Sequence, residues 1–446
     1  MTYCQMEYNE KFSKFFEKFK DEYIRADEEW KRMLLDIARD FVEKNRDFVM
    51  HHPLISYWRN FERSIGYSRE QLYKEYNWKN INLYFHVPFC VTKCSYCNFH
   101  ITIWNRFKKL HAMRYLKKME MEVDAFLDEV NIFNVKTIFI WWGTPSFLDD
   151  EELTTLLKMI YSRFSHKFDK AEFEYTIECN PESVTKSKLQ IFKEFWINRI
   201  SLWVQSFNDD VIKNINRTYT EEDVLRTVSL IREEWFGNMN IDMMYGLPTQ
   251  EAGEMRSDLE KIIKMNPEHI TYYPLYNYEE STFGRMWKKE DNIEEIYSFY
   301  DILAKSIKDA GYIQYWREYF AKDESLIHHY QNNYVSNRHL IWFWHSAYSF
   351  SGKFAFCNTH DFKDYMLWDD HIRKMFEYHA KFYDERLFVI WSRNLKIDKK
   401  WIKNLDYMRW KLELAFMLWF IDERENDFIF TEKWLKYQEI FTHTIL

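Results

Sequence analysis

The chain has 446 residues, 46% of them apolar and 30% charged, with a formal net charge of −8. That much apolar material excludes a disordered chain and supplies a core for two or three domains, while the acidic balance excludes a global attraction to nucleic acid. The longest apolar runs, "TIFIWW" and "ELAFMLWFI", fall well short of the roughly 20 residues needed to cross a bilayer, and no signal-peptide pattern opens the chain, so a cytoplasmic protein without a membrane span is expected.

Residues 1–78 read as an N-terminal helical extension, because apolar residues recur every three or four positions from Phe12 to Lys44. From Asn82 the pattern changes to short β-rich runs, "NLYFHV", "TIFIWW", "FEYTIE", "RISLWV", "MNIDMM" and "HITYYPL". Amphipathic stretches near 108–131, 149–164, 186–195, 209–215 and 252–265 separate them. This alternation predicts parallel strands with right-handed crossovers, hence an α/β fold with a partial (β/α)6 barrel over residues 79–290. Residues 291–446 form a C-terminal region, aromatic-rich at first and ending in helices plus a short β segment, "DFIFTEKW", which predicts a small winged-helix-like domain.

Barrels of this kind gather their chemistry at the C-terminal ends of the strands. "HVPFCVTKCSYCNFH" follows the first strand directly and carries Cys90, Cys94 and Cys97. Six cysteines in so long a chain are no disulfide scaffold, and three within eight residues favour a metal or cluster in a reducing compartment. Cys4, Cys179 and Cys357 are isolated and read as ordinary thiols. Zinc, completed by His86 or His100, is one reading of the trio. A [4Fe-4S] cluster is the other. Such a cluster normally takes four thiolates, so three leave one iron open to a ligand.

The spacing Cys-x-x-x-Cys-x-x-Cys in "LYFHVPFCVTKCSYCNF" resembles the signature of radical S-adenosylmethionine (SAM) enzymes, and its setting is similar to the oxygen-independent coproporphyrinogen III oxidase family. "GTPSFL", "IECNPESVT", "NRISLWVQSFND", "INRTYT", "NIDMMYGLPTQ" and "YPLYNYEESTFG" continue the likeness in order. The resemblance implies a cluster whose open iron chelates SAM, one molecule or two, and a low-potential electron donor such as flavodoxin or ferredoxin. Cleavage of SAM then yields a 5′-deoxyadenosyl radical. It further implies a small-molecule substrate, a porphyrinogen or heme, and oxidation of coproporphyrinogen propionates to vinyl groups. A heme chaperone and a radical methylase are the rival activities within the same family.

Carried over residue by residue, the resemblance makes Cys90, Cys94 and Cys97 the iron ligands. Tyr96 packs on adenine, and Trp142, Gly143 and Thr144 occupy the stretch that meets the SAM amino group. Glu178 and Gln205 meet the ribose, and Arg217 meets the carboxylate, for which a planar fork of donors is suited. Tyr84, near the cluster, and Asp242, near a second SAM or the substrate pocket, take the catalytic positions. Each of these has a bland alternative, since strand-end carboxylates often cap neighbouring helices.

The chain departs from the family in one repeated way. It holds 8 glycines and 19 tryptophans, whereas roughly 7% glycine is ordinary. "WWGTP" puts Trp141 and Trp142 where the family has glycine, chosen so that the backbone can be approached closely. Trp196, Trp203, Trp235, Trp342, Trp344, Trp391, Trp419 and Trp434 fall at similar positions. Two readings follow. Many of these tryptophans are glycines in the cell, encoded by UGA codons, or the chain is a degenerate, inactive relative. Smaller departures concern the branch. Asn98-Phe99 after the third cysteine is similar to the heme-chaperone branch, Tyr348 stands where the family has histidine, and His328 and His329 read as surface or core histidines.

Overall fold

The computed structural model describes residues 67–98, 101–103, 109–169, 173–275, 281–286, 293–336, 338–378, 383, 384, 386, 396–402 and 421–431. Most of the expected N-terminal extension, His100 and Trp391, Trp419 and Trp434 lie outside the described residues, as do most of the helices expected near the C-terminus.

Six parallel strands form the centre: β1 (Lys79–Val87), β4 (Phe133–Gly143), β5 (Glu174–Cys179), β6 (Arg199–Gln205), β7 (Met239–Tyr245) and β8 (His269–Pro274). Two short pieces, β2 (Phe89–Cys90) and β3 (Thr102–Ile103), pair with each other beside the cysteine loop. Every residue of β5 and β7 is buried, the pattern of parallel strands covered on both faces. All six strands expected from the sequence are present.

Among the described residues the helices are α1 (Arg69–Lys74), α2 (Lys109–Glu129), α3 (Asp150–Phe164), α4 (Lys186–Glu194), α5 (Asp209–Asn214), α6 (Glu221–Glu233) and α7 (Ala252–Met265), followed by α8 (Thr282–Met286), α9 (Ile293–Asp309), α10 (His329–Val335) and α11 (Phe362–Leu367). Local chemistry fixes several starts. Asp149 accepts from the Glu152 amide while Glu152 accepts from the Asp149 amide, a reciprocal capping box, and Ser68/Gln71 and Thr220/Asp223 repeat it. The last of these opens α6, a helix that the apolar rhythm alone did not pick out.

The sheet is larger than a six-stranded barrel. On one side β8 pairs antiparallel with β10 (Tyr319–Ala321), which pairs with β9 (Ile313–Gln314). On the other side β11 (His339–Phe343) lies parallel to β1, setting Trp342 opposite Tyr84, and continues antiparallel through β12 (Tyr348–Phe350), β13 (Phe354–Asn358) and β14 (Ile372–Glu377). Part of the C-terminal region therefore extends the central sheet. Nearer the end, β15 (Lys396–Asp398), β16 (Ile421–Glu423) and β17 (Asp427–Phe430) make a separate three-stranded antiparallel sheet.

Candidate iron–sulfur and cofactor site

The cysteine loop leaves β1 at the C-terminal end of the sheet and is tied down from outside. Ser95 donates its amide to Ile215 O at 3.0 Å, Asn216 Nδ2 donates to Lys93 O at 2.7 Å, and Thr92 Oγ1 donates to Asn216 O at 3.1 Å. The Cys97 amide closes a turn onto Cys94 O at 3.1 Å. Cys90, Cys94 and Cys97 are all half-buried and line one cavity. Burial pushes the Cys90 thiol up to about 12, with Cys94 adding to the effect. A cavity that resists a lone thiolate is stabilised by positive charge placed among three of them, which iron supplies.

Among the described residues, no three His, Cys, Asp or Glu side chains form a group that could hold a single metal ion. The thiolates of a cube bind three different irons and need no common focus. The donor set fits a [4Fe-4S] cluster.

Strand ends supply the remaining walls. Glu178 of β5, Gln205 of β6 and Asp242 of β7 face the same cavity as Tyr96, Gly143, Thr144 and Arg217. Ser201 Oγ donates to Asp242 Oδ2 at 2.7 Å, while Glu178 Oε2 and Gln205 Oε1 are buried without a hydrogen-bond partner among the described residues. Burial holds the carboxyls of both Glu178 and Asp242 above the ordinary range, and Asp242 adds to the effect on Glu178. Arg217 Nη1 donates to Asn180 Oδ1 at 2.7 Å and Nη2 to Tyr96 Oη at 2.8 Å, with the guanidinium 5.3 Å from the Trp203 ring centre. Thr144 Oγ1 lies 3.8 Å from Cys90 Sγ. Gly143 sits at φ 62°, and a Cβ there would land on the Val87 carbonyl and 2.6 Å from the Phe89 amide nitrogen, so only glycine fits.

Tyr84 is placed elsewhere. It is fully buried behind the cavity wall, its Oη 2.9 Å from His86 Nδ1 and its ring 4.5 Å from that of Trp342. His328 is a buried histidine of the cavity floor, its pKa pushed down by burial. Sequence reasoning missed Asn180, Glu182 and the far wall of Trp316, Glu318, Tyr319 and Gln331. Asn180 had a signal, a polar residue one step past the end of a buried strand. The far wall had none, because it comes from the region after residue 290.

SAM is a different matter. Trp141 and Trp142 line the cavity with ring centres 4.9 Å apart, covering the β4 backbone that a SAM amino group would approach. Trp142 does so at φ 56°, and Trp203 occupies the face of Arg217. The residues at 141, 142 and 203 do not fit SAM.

The radical SAM superfamily profile matches residues 84–262. The heme chaperone HemW of Bacillus subtilis is 30% identical over 289 residues, covering 64% of this chain and 74% of that protein. This decides the family. The chain belongs to the radical SAM superfamily, in the family of HemW and HemN. The HemW of Buchnera aphidicola is 32% identical over 235 residues, 53% of this chain and 61% of that protein, so the match leaves out more than a third of that relative. Coproporphyrinogen III oxidase (HemN) from Escherichia coli has the same fold, with a TM-score of 0.74 over 91% of this chain and 98% of its own, at 20% identity. The radical SAM family implies a [4Fe-4S] cluster and SAM. No helix among the described residues is long and apolar enough to cross a membrane.

Proposed function

We propose that the protein is a cytoplasmic [4Fe-4S] radical SAM protein that handles heme, in the manner of the heme-chaperone branch. The observation that carries the cluster is three half-buried thiols on one cavity at the C-terminal ends of parallel strands. Cys90, Cys94 and Cys97 are its ligands. Arg217, pinned between Asn180 and Tyr96, fixes the Tyr96 ring beside the loop, and Glu178 and Asp242 are the acidic groups of the cavity. A cluster held there would supply one-electron chemistry to whatever its open iron binds. Within the family, the chaperone branch is supported over the oxidase by the names of the curated relatives and by Asn98-Phe99 after the third cysteine.

The test is anaerobic purification followed by loading with iron and sulfide. The expected result is a cluster and stable heme binding, without turnover of coproporphyrinogen. A vinyl porphyrin product with 5′-deoxyadenosine assigns the oxidase activity instead, a methylated product assigns a methylase, and a protein that takes up no cluster removes all three.

A further inference from the structure

Tryptophan occupies backbone that L-residues avoid. Nine non-glycine residues among those described have φ in the left-handed region, and four of them are Trp78, Trp142, Trp196 and Trp235. A bulky residue there is a true outlier, because its Cβ meets the following carbonyl.

Two of the four sit in a motif whose residue requirement is known from physics alone. Helix α4 closes with Phe195 as C-cap; the Trp196 amide donates to Lys193 O at 3.1 Å and the Ile197 amide to Phe192 O at 3.0 Å. Helix α6 closes with Glu234; the Trp235 amide donates to Arg232 O at 2.9 Å and the Phe236 amide to Ile231 O at 3.3 Å. Both are Schellman endings, whose left-handed residue is usually glycine and sometimes asparagine. The same protein supplies the comparison. After α9 the identical pair of bonds surrounds Gly311, and after α5 it surrounds Asn216. Four equivalent helix ends thus hold Gly, Asn, Trp and Trp.

The indoles gain little in return. Trp235 is 89% exposed and Trp78 77%. At the cavity, Trp142 precedes Gly143, a second left-handed residue. Trp141 and Trp344 are within the fold, yet their indole N–H groups are buried with no acceptor among the described residues, which costs free energy that a tryptophan normally avoids.

We propose that Trp78, Trp142, Trp196 and Trp235 are glycines in the protein as its own cell makes it, together with Trp141 and Trp344. Glycine at 141 and 142, joined to Gly143, bares the end of β4 and opens the cavity beside the cysteines for SAM. The part concerning SAM rests on the function proposed above; the part concerning residue identity does not.

Tandem mass spectrometry of peptides from the protein purified from its native source decides the matter. The expected peptides read glycine at 142, 196 and 235, each lighter than this sequence by an indole ring and its methylene. Tryptophan at any of these three positions overturns the proposal. Because the readout is residue identity, it is independent of whether the protein takes up a cluster or binds heme.

Discussion

Replacing Trp235 by glycine should stabilise the recombinant chain, although the change deletes one of its largest side chains. Trp235 is 89% exposed, so almost no buried apolar area is lost. Its φ of 59° costs an L-residue about 1–2 kcal/mol. Glycine removes that strain and adds about 0.4–1 kcal/mol of unfolded-state entropy, leaving a net gain of about 1 kcal/mol. For a chain of this length the entropy of melting is large, so the gain corresponds to roughly 1 °C in Tm; the urea midpoint is the more sensitive assay. Trp368 provides the control. It is also exposed, at 58%, but its backbone is extended, with φ −103° and ψ 140°. Trp368→Gly therefore relieves nothing and should lower the midpoint. If Trp235→Gly lowers it by as much as Trp368→Gly does, the strain argument is wrong. Trp196→Gly should gain less, because that indole is 52% exposed and packs edge-on to Tyr161 at 5.3 Å.

Other outcomes follow from the site. The double variant Trp141→Gly, Trp142→Gly, loaded with cluster, should bind SAM at least tenfold more tightly than the chain with both tryptophans, about 1.4 kcal/mol by calorimetry; equal affinity removes the occlusion argument. Cys94→Ala should lose iron, sulfide and the visible absorption of the reconstituted protein, and a full cluster in that variant removes the ligand assignment. Burial holds the Glu178 carboxyl well above its unfolded value, so the folded state binds the extra proton and stability falls as pH rises from the unfolded pKa through the folded one. In cluster-free protein, Glu178→Gln should flatten that fall and leave the variant the more stable of the two above it, measured by urea midpoints across pH. An unchanged slope would place the titration in another group.

The barrel was legible because its strands are apolar runs followed by amphipathic helices, several of which open on a side-chain cap such as Asp149, Thr185 or Asn208, information carried by neighbouring stretches of sequence. What lay outside that range was not legible. β11 pairs with β1 across more than 250 residues, from Ile81 to His339, and its sequence "HLIWF" is as compatible with a buried helix turn as with a strand. A single-segment pattern carries no information about which edge of a sheet a distant strand will cover. The same is true of the far cavity wall: Trp316 and Glu318 come to the strand ends through the pairing of β8 with β10, and Gln331 comes on α10, whose start is tied to Glu174 of β5.

Within the site, the legible residues were those whose position relative to a strand end decides their role: the cysteine loop, Glu178, Gln205 and Asp242. Tyr84 shows the limit of that rule. It lies three residues before the end of β1, as Asp242 does in β7, and pairs with Phe139 of the cavity lining, yet the rings of Phe139, Trp141 and Trp342 pack around it, the last at 4.5 Å, and shut it off from the cavity. His86, two residues on, shares its face of β1 and stacks on Trp344 with ring centres 3.6 Å apart. Glycine at 344 would remove the ring that covers His86 and leave the imidazole facing space between β1 and β11. The tryptophans of β11 and the loop after it therefore cover Tyr84 and His86, just as Trp141 and Trp142 cover the end of β4 beside the cysteines.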